Sequence, residues 1–244
     1  MKKVRLFVSL SIAVSMLIMF YSCGPGEEKK ADETAAVDTV AAKPAEAAPV
    51  VPAKPANVLI VWHKVANYAK FLPSYEAHDS LRLANGLHNY IIGRGVKDPN
   101  MVLVAVRMDD AEKAKKFGAS AELKDAMKKS GVIGAPTVSY VDVQVLDTTA
   151  NATTRVMVTS KVKDWDAWKK EFDAHKPARL AAGLTDRAVG YSVGDNHNIT
   201  LVFAVSDMKK AEEFFKSKDL KDKMDAAGVE GPPSIMYYTV AKKY

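Results

Sequence analysis

The chain repeats itself at a fixed offset of 97 residues, and this repeat limits the possible folds more than any other feature of the sequence. Val58–Asp147 aligns without gaps to Arg155–Tyr244, and 28 of the 90 aligned pairs are identical. Strings such as "GVIGAP" and "GVEGPP" occupy the same place in both copies. An ungapped repeat of this length indicates a duplicated structural unit. We therefore predict two similar domains, at residues 57–147 and 154–244.

Each copy has the same order of predicted elements, β-α-β-β-α-β. In the first copy an apolar strand precedes a helix that starts at Asn67, a good N-cap residue, and ends at Gly86. Two strands follow, and a second helix is expected to begin at Asp110 and to break near Gly118. A last strand is expected after Pro136. This order is typical of the ferredoxin-like split unit, an α+β fold.

The strands of the repeat are apolar on both faces. In "ITLVFAV" one face carries Ile199, Leu201 and Phe203, and the other carries Val202 and Ala204. One face is expected to meet the helices, and the other needs a cover because a bare apolar sheet attracts other proteins. The second copy can supply that cover. We predict a monomer whose two units pack sheet to sheet as an intramolecular pseudo-dimeric α/β barrel.

The first 22 residues have the pattern of a signal peptide. Three basic residues precede the apolar run Leu6–Phe20, which is short for a bilayer span. The run leads into "FYSC", which resembles the lipobox of bacterial lipoproteins and implies that Cys23 carries the lipid. We expect a protein that is lipid-anchored in the bacterial cell envelope, either periplasmic or associated with the outer membrane. The alternatives are an uncleaved anchor or cleavage at another site.

Residues 23–56 form a predicted disordered tether. They are rich in alanine and proline and contain no aromatic residue, so they cannot bury enough apolar surface to offset the entropy of ordering. The net charge of the chain is +6, but three of these charges belong to the leader. Because no basic block remains, we expect no nucleic-acid partner. The single cysteine excludes an intramolecular disulfide.

Two strings of the second copy resemble a known group of domains. "VKDWDAWKKEFDAHKPARLAAGL" and, downstream, "SKDLKDKMDAAGVEGPP" are similar to antibiotic-biosynthesis-monooxygenase-like and cyclase-like domains. These belong to the dimeric α/β-barrel superfamily. The resemblance implies a ferredoxin-like fold. It leaves the activity open, because the superfamily includes cofactor-independent oxygenases, isomerases, haem-dependent enzymes and proteins without known activity.

A histidine and an arginine recur four residues apart on the first helix of each copy. These are His78 and Arg82, and then His175 and Arg179, and they follow an aromatic stripe that should face the sheet. One interpretation is a ligand pocket, in which the arginine holds an anion and the histidine exchanges a proton. The other is structural. The pair then stabilises the helix end, and the arginines pair with the loop acids Asp98 and Asp195.

Tyr140 and Tyr237 on the last strands are further pocket candidates, although core packing is the favoured role for both. Trp62 and His63 on the first strand count for less, because the second copy replaces them with threonine and serine. The spacing of the histidines does not suggest a metal site, and no cofactor is expected. We therefore predict binding of a small apolar or anionic molecule. The alternatives are a cofactor-independent monooxygenase, isomerase or cyclase, and a protein-interaction module of the envelope.

Overall fold

The computed structural model describes residues 57–244, so the predicted signal peptide and tether lie outside the described residues. Each half contains four strands and four short helices. The first half comprises β1 (Val58–Val65), α1 (Tyr68–Ala77), α2 (Asp79–Ala84), β2 (Leu87–Gly95), β3 (Met101–Met108), α3 (Ala111–Gly118), α4 (Ala121–Lys129) and β4 (Val132–Leu146). The second half comprises β5 (Thr154–Val162), α5 (Trp165–Ala174), α6 (Lys176–Ala181), β6 (Leu184–Ser192), β7 (Asp195–Val205), α7 (Met208–Phe215), α8 (Lys218–Ala226) and β8 (Val229–Lys243).

The eight strands close into one antiparallel barrel in the order β1-β3-β2-β8-β5-β7-β6-β4. Within each half the strand order is the same, with the last strand beside the first. The halves meet along two seams, where β2 pairs with β8 and β4 pairs with β6. The two sheets therefore share hydrogen bonds at their edges as well as facing one another, and neither keeps a free edge in the barrel.

Apolar side chains form three separate cores. Two lie between the helices and the outer face of the barrel, one in each half. The third fills the barrel interior and includes Ile60, Leu103, Met157 and Tyr238. On β7 Leu201 belongs to a helix-facing core and Val202 packs against the interior core, which confirms the prediction of two apolar faces.

The first predicted helix of each copy is two helices in the structure. α1 ends where His78 forms its C-cap, and α2 begins at the next residue; α5 and α6 divide in the same way at His175. The prediction of one continuous helix was wrong. In contrast, the predicted N-cap is confirmed, because the side chain of Asn67 accepts a hydrogen bond from a backbone N–H group of the first turn; Asp164 caps α5 in the same way. Ser120 likewise caps α4, after the break that was predicted near Gly118.

The last strand of each half begins earlier than expected. β4 starts at Val132 and not after Pro136. Its pairing with β1 shifts register between Trp62 and Lys64, so Pro136 lies at an irregularity where no ladder hydrogen bond from its nitrogen is required. Within residues 57–244 no helix is long and apolar enough to cross a membrane.

Candidate functional site

A cleft of about 210 Å³ lies between the helices and the sheet of the first half. Leu59 and Val61 on β1 form its floor, and Phe71 on α1 and Phe117 on α3 contribute to its walls. The side chains that face this cleft are predominantly apolar, with a few polar groups among them. Such a composition is typical of sites for small organic molecules.

His63 is the polar group at the floor of this cleft. It continues the alternation of Leu59 and Val61 along β1 and is only 5% exposed. Its ring centroid lies 5.3 Å from that of Phe71. Neither ring nitrogen has a hydrogen-bond partner among the described residues. Burial lowers the pKa of His63 to about 4, so the imidazole is neutral at pH 7.

Sequence reasoning undervalued His63 because the second copy has serine at that position. The useful signal was the alternation of the strand, which places His63 on the helix-facing side. Recurrence in both copies of the sequence repeat does not decide which side chains line a cleft.

His78, a predicted candidate, also lines this cleft. Its Nδ1 lies 2.6 Å from the backbone oxygen of Ser74. A carbonyl oxygen only accepts hydrogen bonds, so Nδ1 carries a proton, and in the Nδ1–H tautomer Nε2 is an acceptor. The structure therefore brings His78 and His63 to the same cleft.

Arg82 is buried and its donors are occupied by the protein. It donates to the backbone oxygen of Tyr75 at 2.7 Å, to Asn89 at 3.0 Å and to Asp79 at 3.2 Å. Its guanidinium carbon lies 3.7 Å from the ring centroid of Tyr75. The Tyr75 carbonyl faces the break between α1 and α2, where helical hydrogen bonding is interrupted. Arg82 thus compensates for the helix break, which fits the structural interpretation of this pair.

Arg179 has the same position in the second half and a stronger partner. It donates to both carboxylate oxygens of Asp186, at 2.8 and 2.7 Å, and to the backbone oxygen of Phe172. Asp186 corresponds to Asn89 in the repeat. The proposed pairing of the arginines with Asp98 and Asp195 was therefore wrong.

His175 faces a smaller cleft in the second half, of about 80 Å³. Its Nε2 lies 3.0 Å from a carboxylate oxygen of Asp219. Phe214 and Phe215 line the same cleft. Phe215 takes the place that Gly118 has in the first half, and Gly118 lines the larger cleft. An added phenyl ring explains why the second cleft is the smaller of the two.

The two tyrosine candidates lie in different surroundings. Tyr140 lines the first cleft, and burial raises the pKa of its hydroxyl. Tyr237 packs edge-on against Phe215, with ring centroids 6.4 Å apart, and burial raises its pKa to about 12. Tyr237 lines a groove that also contains Trp62, and it is not among the residues around the second cleft.

Groups of three or more potential metal ligands do not occur within residues 57–244. No family model and no curated protein sequence matches the chain. Solved structures do resemble it. An anthrone oxidase-like protein aligns with a TM-score of 0.52 at 14% identity, over 79% of this chain and 94% of that one.

A presumed chlorite dismutase aligns with a TM-score of 0.50 at 14% identity, over 77% of this chain and 96% of that one. The chain has a dimeric α+β barrel fold. A presumed monooxygenase of Lactobacillus acidophilus NCFM gives a TM-score of 0.48 at 11% identity, over 77% of this chain and 95% of that one. At these identities the likeness shows the fold alone.

Proposed function

We propose that the first half binds a small, largely apolar organic molecule in the cleft between its helices and its sheet. The observation that carries this proposal is His63, a buried neutral imidazole that faces an apolar cleft and lacks a hydrogen-bond partner among the described residues. Leaving such a group unsatisfied costs about 1–3 kcal/mol. A ligand that hydrogen-bonds to the ring would recover this cost.

The chemistry of the cleft narrows the class of ligand. One nitrogen of a neutral imidazole donates and the other accepts, and His78 offers a second acceptor. The walls contribute phenyl rings from Phe71 and Phe117, which favour a flat apolar body. We therefore propose a ring compound that carries one or two hydroxyl or carbonyl groups. Arg82 also lines the cleft, but each of its three side-chain nitrogens already donates a hydrogen bond inside the protein, so we assign the ligand contacts to the histidines.

The second candidate function is enzymatic: a cofactor-independent monooxygenase, isomerase or cyclase. His63 favours it, because an apolar site with a neutral imidazole can accept a proton from a bound hydroxyl or activated C–H group. A pKa of about 4 makes the empty site a weak base at neutral pH, since general bases work best near the operating pH. We therefore favour binding over catalysis as the function of this cleft.

The proposed setting is the bacterial envelope. We propose that the chain arose by tandem duplication of one ferredoxin-like unit and that the second unit serves chiefly to complete the barrel. The barrel would be attached to the membrane by a lipid on Cys23, through the tether of residues 23–56. The resemblance of "FYSC" to a lipobox supports this setting, and so does the disorder-prone composition of the tether.

Native mass spectrometry of the full-length chain, freshly purified from its own source, tests the binding proposal. A co-purifying molecule should be lost when the cleft is changed by His63→Ser or Gly118→Phe. Each variant copies the residue that the second half carries at the same position, so each introduces a side chain that this fold already accommodates.

A matched control changes the second cleft with Phe215→Ala. It should leave the co-purifying molecule in place. A molecule retained by both first-cleft variants, or its absence from the parent protein, would contradict the proposal. Turnover of the bound molecule by the parent protein, abolished in His63→Ser, would move the conclusion to the enzymatic alternative.

A further inference from the structure

The barrel interior contains a second cavity, of about 200 Å³, apart from the cleft. Ile60, Leu103, Met157 and Val202 line its apolar part. Its other lining residues include three arginines, Arg107, Arg155 and Arg187. A barrel interior that is otherwise a packed apolar core does not require charged groups.

Arg187 enters the interior because of a bulge in β6. The pairing of β6 with β7 shifts register between Asp186 and Ala188, and bulges redirect side chains in this way. The side chain is buried, at 7% exposure. It donates to the backbone oxygen of Asp147 and, at 2.9 Å, to the hydroxyl of Tyr90. Its Nε has no partner among the described residues.

Arg155 is buried even more deeply, at 3% exposure, and its Nε donates to the backbone oxygen of Ala152 at 3.3 Å. Tyr238 lines the same cavity and is fully buried, which raises the pKa of its hydroxyl to about 12 and keeps it neutral. Within residues 57–244, neither Arg155 nor Arg187 has a carboxylate within ion-pair distance.

Asp147 lies close enough to Arg187 for the arginine charge to act on its carboxylate. Hydrogen bonds from the side chain and backbone of Thr149 lower the pKa of Asp147, and the charge of Arg187 contributes further. Its carboxylate accepts from Thr149 at 2.8 and 2.5 Å and does not line the cavity. The positive charge of the two buried arginines is thus not neutralised inside the barrel.

Arg107 is the solvent-exposed arginine of this cavity. It lines the cavity but is exposed to solvent, and its guanidinium carbon lies 4.7 Å from the ring centroid of Tyr90. A charged ligand can therefore meet an exposed arginine first and the buried ones afterwards. Such an order favours capture of anions.

The repeat shows that the fold does not need these charges. The positions equivalent to Arg155, Arg187 and Arg107 in the other half hold Val58, Tyr90 and Ala204. The same strand positions are therefore compatible with uncharged side chains. Burying a cation without a counter-ion costs several kcal/mol, and a function that repays this cost explains the arginines better than the fold does.

We infer that the barrel interior is a binding site for a small carboxylate with an apolar body, separate from the site proposed in the cleft. The carboxylate would be held by Arg155 and Arg187, whose planar guanidinium groups match its geometry. The apolar body would lie against Ile60, Met157 and Val202. A carboxylate fits better than a phosphate, because most of the lining is apolar and few donors are unoccupied.

Isothermal titration of the full-length chain with hexanoate tests this inference, with hexanol and inorganic phosphate as matched probes. Hexanoate should bind, and hexanol and phosphate should bind at least tenfold more weakly. Arg187→Met and Arg155→Met should each weaken hexanoate binding about tenfold, which corresponds to the loss of one charged hydrogen bond of about 1.4 kcal/mol. Arg107→Met, at an exposed position that tolerates substitution, should weaken it severalfold.

Two control variants separate this site from others. Arg94→Met removes an arginine that packs over Tyr68 on a helix, outside the barrel interior, and it should leave the affinity for hexanoate unchanged. Gly118→Phe closes the helix–sheet cleft and should also leave the affinity for hexanoate unchanged. Different variants therefore test the cleft and the barrel interior, and either proposal can fail without the other. Absence of hexanoate binding overturns the inference. So does equal binding of hexanol or phosphate, or full affinity in both Arg155→Met and Arg187→Met.

Discussion

Tyr90 and Arg187 lie 97 positions apart, which is the offset of the sequence repeat, and they contact each other inside the barrel. The Arg187 guanidinium donates to the Tyr90 hydroxyl at 2.9 Å. Both residues lie at irregularities of equivalent strands, where β2 and β6 shift register against their neighbours. Both side chains line the interior cavity. The contact therefore places a phenol and a guanidinium side by side at the wall of that cavity.

Acid sensitivity should arise from His63. Its pKa in the folded protein is about 4, whereas an unfolded histidine titrates near 6.5. Above pH 6.5 the group is neutral in both states and has no effect. Between pH 6.5 and 4 the unfolded state takes up a proton that the folded state does not bind, so stability falls, by up to about 3 kcal/mol.

His63→Leu should remove most of this pH dependence, as measured by urea unfolding at pH 7.5, 5.5 and 4.5. The exposed His88 provides a control, and His88→Gln should retain the dependence. An unchanged slope of stability with pH in His63→Leu would show that the acid-sensitive group lies elsewhere.

The ion pair of Arg179 and Asp186 should make a large contribution to stability. The side chains are 4% and 17% exposed, and removal of one partner leaves the other charge buried. We expect Arg179→Met to lower the free energy of unfolding by about 3 kcal/mol. Asp186→Asn leaves Arg179 buried without a carboxylate, because Lys176 stands where Asp79 pairs with Arg82 in the first half, and should also cost about 3 kcal/mol. Chemical denaturation measures both, and a cost below about 1 kcal/mol in either variant would contradict a stabilising buried ion pair.

Gly93 should be required for closure of the barrel. It lies on the β2–β8 seam, and a Cβ atom there would come within 2.5 Å of the Tyr238 ring, which is buried in the interior. Gly93→Ala is expected to cost about 2 kcal/mol because the ring cannot move without disturbing the core. Thr239→Ala, at an exposed position on the partner strand β8, should change stability by less than about 0.5 kcal/mol. If Gly93→Ala left the stability unchanged, the seam would have to be loosely packed.

Each half expressed alone should associate with itself. Residues 154–244 would lose both seams and expose the interior face that includes Met157 and Tyr238. Sedimentation experiments should therefore detect dimers or larger species at micromolar concentrations. A half that stays monomeric across this range would show that barrel closure is not needed to cover the apolar face.

Membrane attachment should depend on Cys23. Cys23→Ser removes the thiol that a lipid would occupy, and the variant should move from the membrane fraction to the soluble fraction after cell lysis. Ser22→Thr, next to the proposed site, serves as a control for changes in export. Continued membrane retention of Cys23→Ser would contradict the lipoprotein proposal.

The order of the strands and of the helical segments was predictable from the chain alone, because the alternation of apolar residues and the capping residues Asn67 and Asp164 are local signals. The sequence also showed that the strands have two apolar faces. The break at His78 was not predictable, because the carbonyl groups that it frees are compensated by Arg82, a contact made through folding. The partner of Arg179 was missed for the same reason: Asp186 approaches it only when β6 lies beneath the helices.

Which polar residues face a cavity could be seen only in the folded chain. The sequence favours His63 less than the other candidates because its counterpart is serine, yet the strand alternation and the missing side chain at Gly118 leave it in the larger cleft. The sequence did not indicate that Arg155 and Arg187 line one cavity, because a bulge and the closure of the barrel bring them there. Secondary structure follows from neighbours along the chain. A binding site depends on which distant side chains the closed barrel brings to one volume and on the space that they leave unfilled.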